Sequence, residues 1–214
     1  MAHVSAGGCC CGAALIAEPA TSSRAVGIDA FLDGVDGSDA GVARVFERVR
    51  DIPFSFAPHT DADALMAAGS GTCAPKHALL ASLYARLGLE TRFVYVSFRF
   101  DDMPGDFPSE LRPFVHDGIV RAHTALQLRR PYGWVDVDAT FDRPLARAGF
   151  VVTAGWSGRT SMPLVVAPLA RVESTLPPEH EEALLGIRHR TSFSRSIVEQ
   201  LNRWLEDQRR PCHG

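Results

Sequence analysis

The chain has 214 residues, 46% of them hydrophobic and 22% charged, which suits one domain with appendages and a sizeable core. A formal net charge of −3, with no basic stripe carrying interleaved aromatics, argues against a nucleic-acid partner. No apolar run reaches the length of a membrane span, and the start has neither the cationic leader nor the apolar stretch of a signal peptide, so a cytoplasmic protein with no membrane partner is expected.

Residues 1–27 are rich in Gly, Ala, Cys and Ser without a lasting period, and are expected to form a flexible N-terminal arm. Cys9, Cys10 and Cys11 lie there. Adjacent cysteines lack the spacing with which two thiolates bite one ion, so even with His3 nearby they read as solvated thiols. Cys73 and Cys212 complete an odd count of five, a poor disulfide framework. The single lysine, Lys76, among many arginines reads as genomic base composition.

From Ser38 or Asp39 a helix is predicted on the spacing of Val42, Val45, Phe46 and Val49, stopping before Pro53. Residues 52–56 read as short and extended, and 57–72 as a loop or short helix closing on Gly69, Ser70, Gly71 and Thr72. Residues 74–87 form the clearest helix. Pro75 falls in its first turn, Leu79, Leu80, Leu83, Tyr84 and Leu87 supply an apolar face, and Gly88 offers a stop. The aromatic and β-branched run 91–100 predicts a strand.

Residues 101–117, rich in Pro, Asp and Gly, are expected to be a surface loop. Strands 120–128 and 134–139 follow, with a turn-rich link that makes them an antiparallel hairpin. Residues 150–153 and 162–172 are candidates for further strands, and 179–190 and 192–208 for helices. A helix, then antiparallel strands, then helices again predicts an α+β fold, with a core over 28–175 and a C-terminal helical extension over 176–214.

Cys73 stands at a helix N-terminus, where the backbone dipole and free N–H groups favour a thiolate and can later hold an oxyanion. Gly69 and Gly71 would let a substrate approach the backbone closely. With the turn centred near Arg130 and Pro131, His123 and Asp138 fall almost opposite each other across the hairpin, close enough for a carboxylate to orient an imidazole. Asp136 shares the parity of Asp138, so register alone separates the two. Trp134 has that parity too, and either shelters the site or fills the core. His77, one helical turn after Cys73, is a minor rival as base, and His59 could line the cleft. His116, His180 and His189 read as surface histidines, and Asp142 and Arg143 as loop charges.

Gly71-Thr72-Cys73 with the helix after it, Ala122-His123, and Trp134-Val135-Asp136-Val137-Asp138-Ala139-Thr140 together resemble the transglutaminase-like superfamily over residues 39–142. Small microbial members are the nearer comparison. The resemblance implies a papain-like Cys–His–Asp fold, a nucleophile-bearing helix packed on an antiparallel sheet. It implies Cys73, His123 and Asp138 as catalytic residues, with Thr72, His77, Trp134, Asp136 and Thr140 lining the site.

The run His123-Thr124-Ala125-Leu126-Gln127 departs from that family's pattern, and neither calcium sites nor added domains have a counterpart. The expected function is acyl transfer from an amide, peptide or other acyl substrate through a Cys73 thioester. Hydrolysis or transfer to an amine would follow. A non-catalytic peptide- or protein-binding module is the alternative. No metal motif and no phosphate-binding loop occurs, so no cofactor is expected.

Overall fold

The structure, a computed structural model, describes residues 27, 29–56, 61–115, 118–187 and 193–210. Cys9, Cys10, Cys11, His59, His116, His189, Cys212 and almost all of the expected N-terminal arm lie outside the described residues.

Helix α1 spans Asp39–Arg50 and buries Val42, Val45, Phe46 and Val49 completely, as their helical spacing requires. Ser38 caps it, its Oγ accepting from the Gly41 N–H at 3.2 Å. Replacing Ser38 by alanine orphans that donor and is expected to cost about 1 kcal/mol. The thermal midpoint should fall by roughly 2–4 °C in a calorimetric melt.

Helix α2, Ala62–Ala68, ends on Gly69 in the left-handed conformation (φ 67°). Helix α3, Cys73–Arg86, follows after the four residues 69–72 and buries Leu79, Leu80, Leu83 and Tyr84. Strand β1 (Thr91–Arg99), β2 (Val120–Arg130), β3 (Gly133–Val137) and β4 (Ala170–Ser174) form one antiparallel sheet in the order β3-β2-β1-β4. Together with the helices this is an α+β architecture.

Period-two alternation divides two cores across the sheet. Leu126 and Leu128 of β2, with Val135 and Val137 of β3, pack against α1 and α3. Val94, Val96 and Phe98 of β1, with Ala125, pack on the other side with Phe141, Val165 and Val166. Helix α6, Arg195–Arg209, adds Leu201 and Leu205 to that second core.

Four sequence expectations need correction here. Residues 101–117 are not simply a surface loop: Phe107, Leu111 and Val115 recur every four residues and are buried, the last two beside or within a short helix α4, Arg112–Val115. Residues 150–153 form no strand. Gly149 (φ 79°) and Gly155 (φ 64°) turn the chain at either side, and the Thr153 carbonyl accepts from Arg50 instead of a neighbouring strand. The strand expected over 162–172 is displaced to Ala170–Ser174, because Val165 and Val166 turn inward to the core. The helix expected over 179–190 is a single turn at Pro178–His180 followed by α5, Glu181–Leu185, which stops at Gly186 in the left-handed region (φ 67°).

Candidate active site

The chain leading to Cys73 is held before it reaches that residue. Gly71 and Phe54 form a parallel bridge, with Gly71 N–H donating to Pro53 O and Ser55 N–H donating to Gly71 O. A Cβ on Gly71 would come within 2.6 Å of the Leu65 side chain, so glycine is needed here for packing against α2. That corrects the expectation that Gly71 is there to let a substrate approach. Thr72 is extended at the N-cap position without a side-chain cap bond, and Cys73 opens α3, partly exposed.

The hairpin brings His123 and Asp138 together, in a different register from the one expected. Arg130 pairs with Gly133 and Leu126 with Val137, so the turn is Pro131–Tyr132 and β3 ends one residue before Asp138. Asp138 therefore lies diagonally from His123, two residues off the direct pairing, on the same face. The diagonal suffices: His123 Nε2 donates to Asp138 Oδ2 at 2.8 Å.

Asp138 is wholly buried and accepts on both oxygens. Oδ2 also takes the Val165 N–H at 3.0 Å, while Oδ1 takes the Thr140 hydroxyl at 2.6 Å and the Thr140 N–H at 3.2 Å. Burial alone would raise its pKa, but the His123 charge and hydrogen bond, His77 and Thr140 hold it well below the usual carboxylate range. Burial presses His123 down. Asp138 and Cys73, by charge and by hydrogen bond, outweigh that and raise it to about 10. Since Nε2 is taken by Asp138, Nδ1 is the ring nitrogen left for Cys73. A protonated His123 held against the Asp138 carboxylate is the state this geometry favours.

His77 plays a different part from the base considered for it. Its Nε2 accepts from the Ala139 N–H at 2.9 Å, so the proton must sit on Nδ1, which donates to Cys73 O at 2.9 Å. Burial lowers its pKa to about 4 against the pull of Asp138, leaving the ring neutral at pH 7. His77 thus ties the first turn of α3 to the residue following Asp138.

Beside it, Lys76 is completely buried and donates to Arg50 O, Ile52 O and Thr140 O at 2.9, 2.8 and 2.7 Å. The lone lysine is structural, contrary to the compositional reading. Burial lowers its pKa to about 7, with the nearby Asp142 and Asp138 opposing. Asp142 is likewise no loop charge. It is buried, accepts from Phe54 N–H and receives a two-pronged contact from Arg209 of α6 at 2.7 and 2.8 Å.

Cys73 and His123 line a cleft of about 820 Å³ together with Thr72 and Thr140. Trp134 and Asp136, expected at the site, are elsewhere. Trp134 lies under the Arg92 and Arg129 guanidinium groups, and Asp136 pairs with Gln127 and Arg171. Neither lines the cleft. Lys76 escaped sequence reasoning although a signal existed, one lysine in an arginine-rich chain placed three residues after Cys73. Among the described residues no group of three His, Cys, Asp or Glu side chains is placed to hold a metal, and no helix is long and apolar enough to cross a membrane.

No family model matches the chain, and no curated protein does. Among solved structures it is distantly similar to one of a proposed cysteine protease from Cytophaga hutchinsonii, at 13% identity and a TM-score of 0.39. The likeness covers 79% of this chain and 53% of the other, so the chain spans about half that protein's length.

Proposed function

We propose that the chain is a cysteine-dependent acyl-transfer enzyme of transglutaminase-like type, with Cys73 as nucleophile, His123 as acid and base, and Asp138 as orienting acid. The observation that carries this reading is the His123 imidazole, fixed by Asp138 at 2.8 Å and lining the same cleft as Cys73. The Cys73 thiolate attacks a carbonyl carbon, forming a C–S bond and placing negative charge on the oxygen. N–H groups at the start of α3 are available to stabilise that oxygen. The intermediate expels its leaving amine or alkoxide, which takes the proton from His123. The remaining thioester is then cleaved by water or by an amine whose proton returns to His123. The C–S electrons revert to sulfur, restoring the ion pair.

Alkylation by iodoacetamide at pH 6, followed by peptide mass mapping, tests this. Cys73 is expected to react about tenfold or more faster than N-acetylcysteine, because its thiolate is stabilised by the imidazolium. His123→Ala should remove that advantage. Equal reactivity of Cys73 and N-acetylcysteine would sink the proposal and favour a binding module instead.

A further inference from the structure

Resting on that reading, we propose that the acyl group delivered to Cys73 is bulky and apolar, an aryl or medium-length alkyl chain, rather than an extended peptide. The cleft beside the sulfur is walled by rings from four parts of the chain. Phe54 and Phe56 precede the nucleophile, Phe98 and Phe100 close β1, Phe141 follows the acid, and Phe193 comes from the segment before α6. The rings form a continuous shell: Phe54 meets Phe56 and Phe141 edge-on at 5.1 and 4.9 Å between centroids, and Phe193 meets Phe56 and Phe100 at 6.1 and 5.5 Å. A volume of about 820 Å³ lies within the range of small-molecule sites and far exceeds what an acetyl group fills.

The backbone along this wall gives the second argument. A peptide held in extended form needs main-chain partners on the wall it follows. Along Phe54–Phe56 the N–H donors are spent. Phe54 N–H donates to Asp142 and its carbonyl accepts from Arg209, Ser55 N–H donates to Gly71 O, and Phe56 N–H donates to Asn202. On the opposite wall Phe98 is inside the β1–β2 ladder and Phe100 N–H donates to Ile119 O. Charged groups gather at the side formed by α5 and α6, where Glu179, Glu182, Arg195 and Glu199 also line the cleft; Arg121 lies over the Phe100 and Phe193 rings at 4.7 and 4.3 Å, and Glu181 accepts from the Thr124 hydroxyl at 2.6 Å. What the ring-lined part of the wall offers a ligand is apolar surface.

The test uses p-nitrophenyl esters of acetic, butyric, hexanoic and 3-phenylpropanoic acids on the full chain. Attack by sulfur forms the thioester and breaks the C–O bond, releasing p-nitrophenolate. Water then yields the free acid and the thiol. The second-order acylation rate should rise about fourfold per buried methylene, reaching on the order of a hundredfold from acetyl to hexanoyl. Val198→Trp, which fills part of the cleft from α6, should reduce the hexanoyl-to-acetyl ratio at least about tenfold. A rate that is flat or falls with acyl size, while Cys73 remains selectively alkylated by iodoacetamide, overturns the apolar acyl class and leaves the nucleophile standing. Loss of both acylation and selective alkylation would instead remove the enzymatic reading itself.

Discussion

Asp138→Asn is expected to lower kcat/KM for acyl transfer by about a thousandfold or more, the scale seen when the orienting acid of a related three-residue site is amidated. The carboxylate accepts on all sides: from His123 and Val165 at Oδ2, and from the hydroxyl and N–H of Thr140 at Oδ1. An amide NH2 at Oδ2 would confront the His123 and Val165 N–H donors. Turned the other way, it would confront Thr140. Either orientation sets donor against donor in a fully buried place, and the His123 ring is left to take the opposite tautomer.

The pH profile distinguishes this from a merely loosened fold. With Asp138 present, His123 remains protonated to about 10, so the alkaline limb of Cys73 acylation should lie near that pH. Losing the carboxylate removes a principal raising influence while burial still presses downward, so the limb should move towards neutrality. A variant with an unchanged limb and more than about a tenth of the wild-type rate would show that Asp138 does not orient the base.

Much of the frame was legible from local rules. Ser38 and the Val42–Val49 spacing marked α1, Pro75 and Gly88 bracketed α3, and the aromatic run after Glu90 marked β1. His123 and Asp138 could be brought near each other because a hairpin makes residues fifteen apart into neighbours. Its register could not be read, since Arg130-Pro131-Tyr132-Gly133 accommodates more than one turn position and each choice shifts the pairing by two. The shift matters less than expected because parity, which decides the face, survives it. Asp136 and Asp138 illustrate the remaining limit: both face one way, and Asp136 is drawn to the surface by Gln127 and by the Arg171 side chain on β4, remote in sequence. The pairing of Asp142 with Arg209, 67 residues away, was hidden for the same reason. Long-range partners leave no periodic trace.

Lys76→Met should be strongly destabilising while leaving the three chemistry-bearing side chains untouched. The ammonium joins the end of α1, the chain after it and the segment behind the acid through Arg50 O, Ile52 O and Thr140 O. A thioether of similar length fills the space and satisfies none of the three. Leaving buried acceptors without donors, offset by no longer burying a charge, gives an expected loss of about 3 kcal/mol. That corresponds to roughly 6–12 °C in thermal midpoint.

The loss should also depend on pH in a predictable direction. The folded pKa of Lys76 is lowered to about 7 from 10.5, so between those values the unfolded chain binds the proton more strongly and this group makes stability rise with pH. His123 runs the other way. Its folded pKa is raised from 6.5 to about 10, so its contribution is complete below 6.5 and is lost as pH climbs to 10. In the wild-type chain the two trends oppose each other between pH 7 and 10. Lys76→Met removes the rising one, so urea melts should show the variant losing stability across that interval and its deficit widening. A variant within about 0.5 kcal/mol of wild type at both ends would mean that the three carbonyls find other donors. The segment behind Asp138 would then be held by His77 at Ala139 and by Phe54 and Arg209 at Asp142.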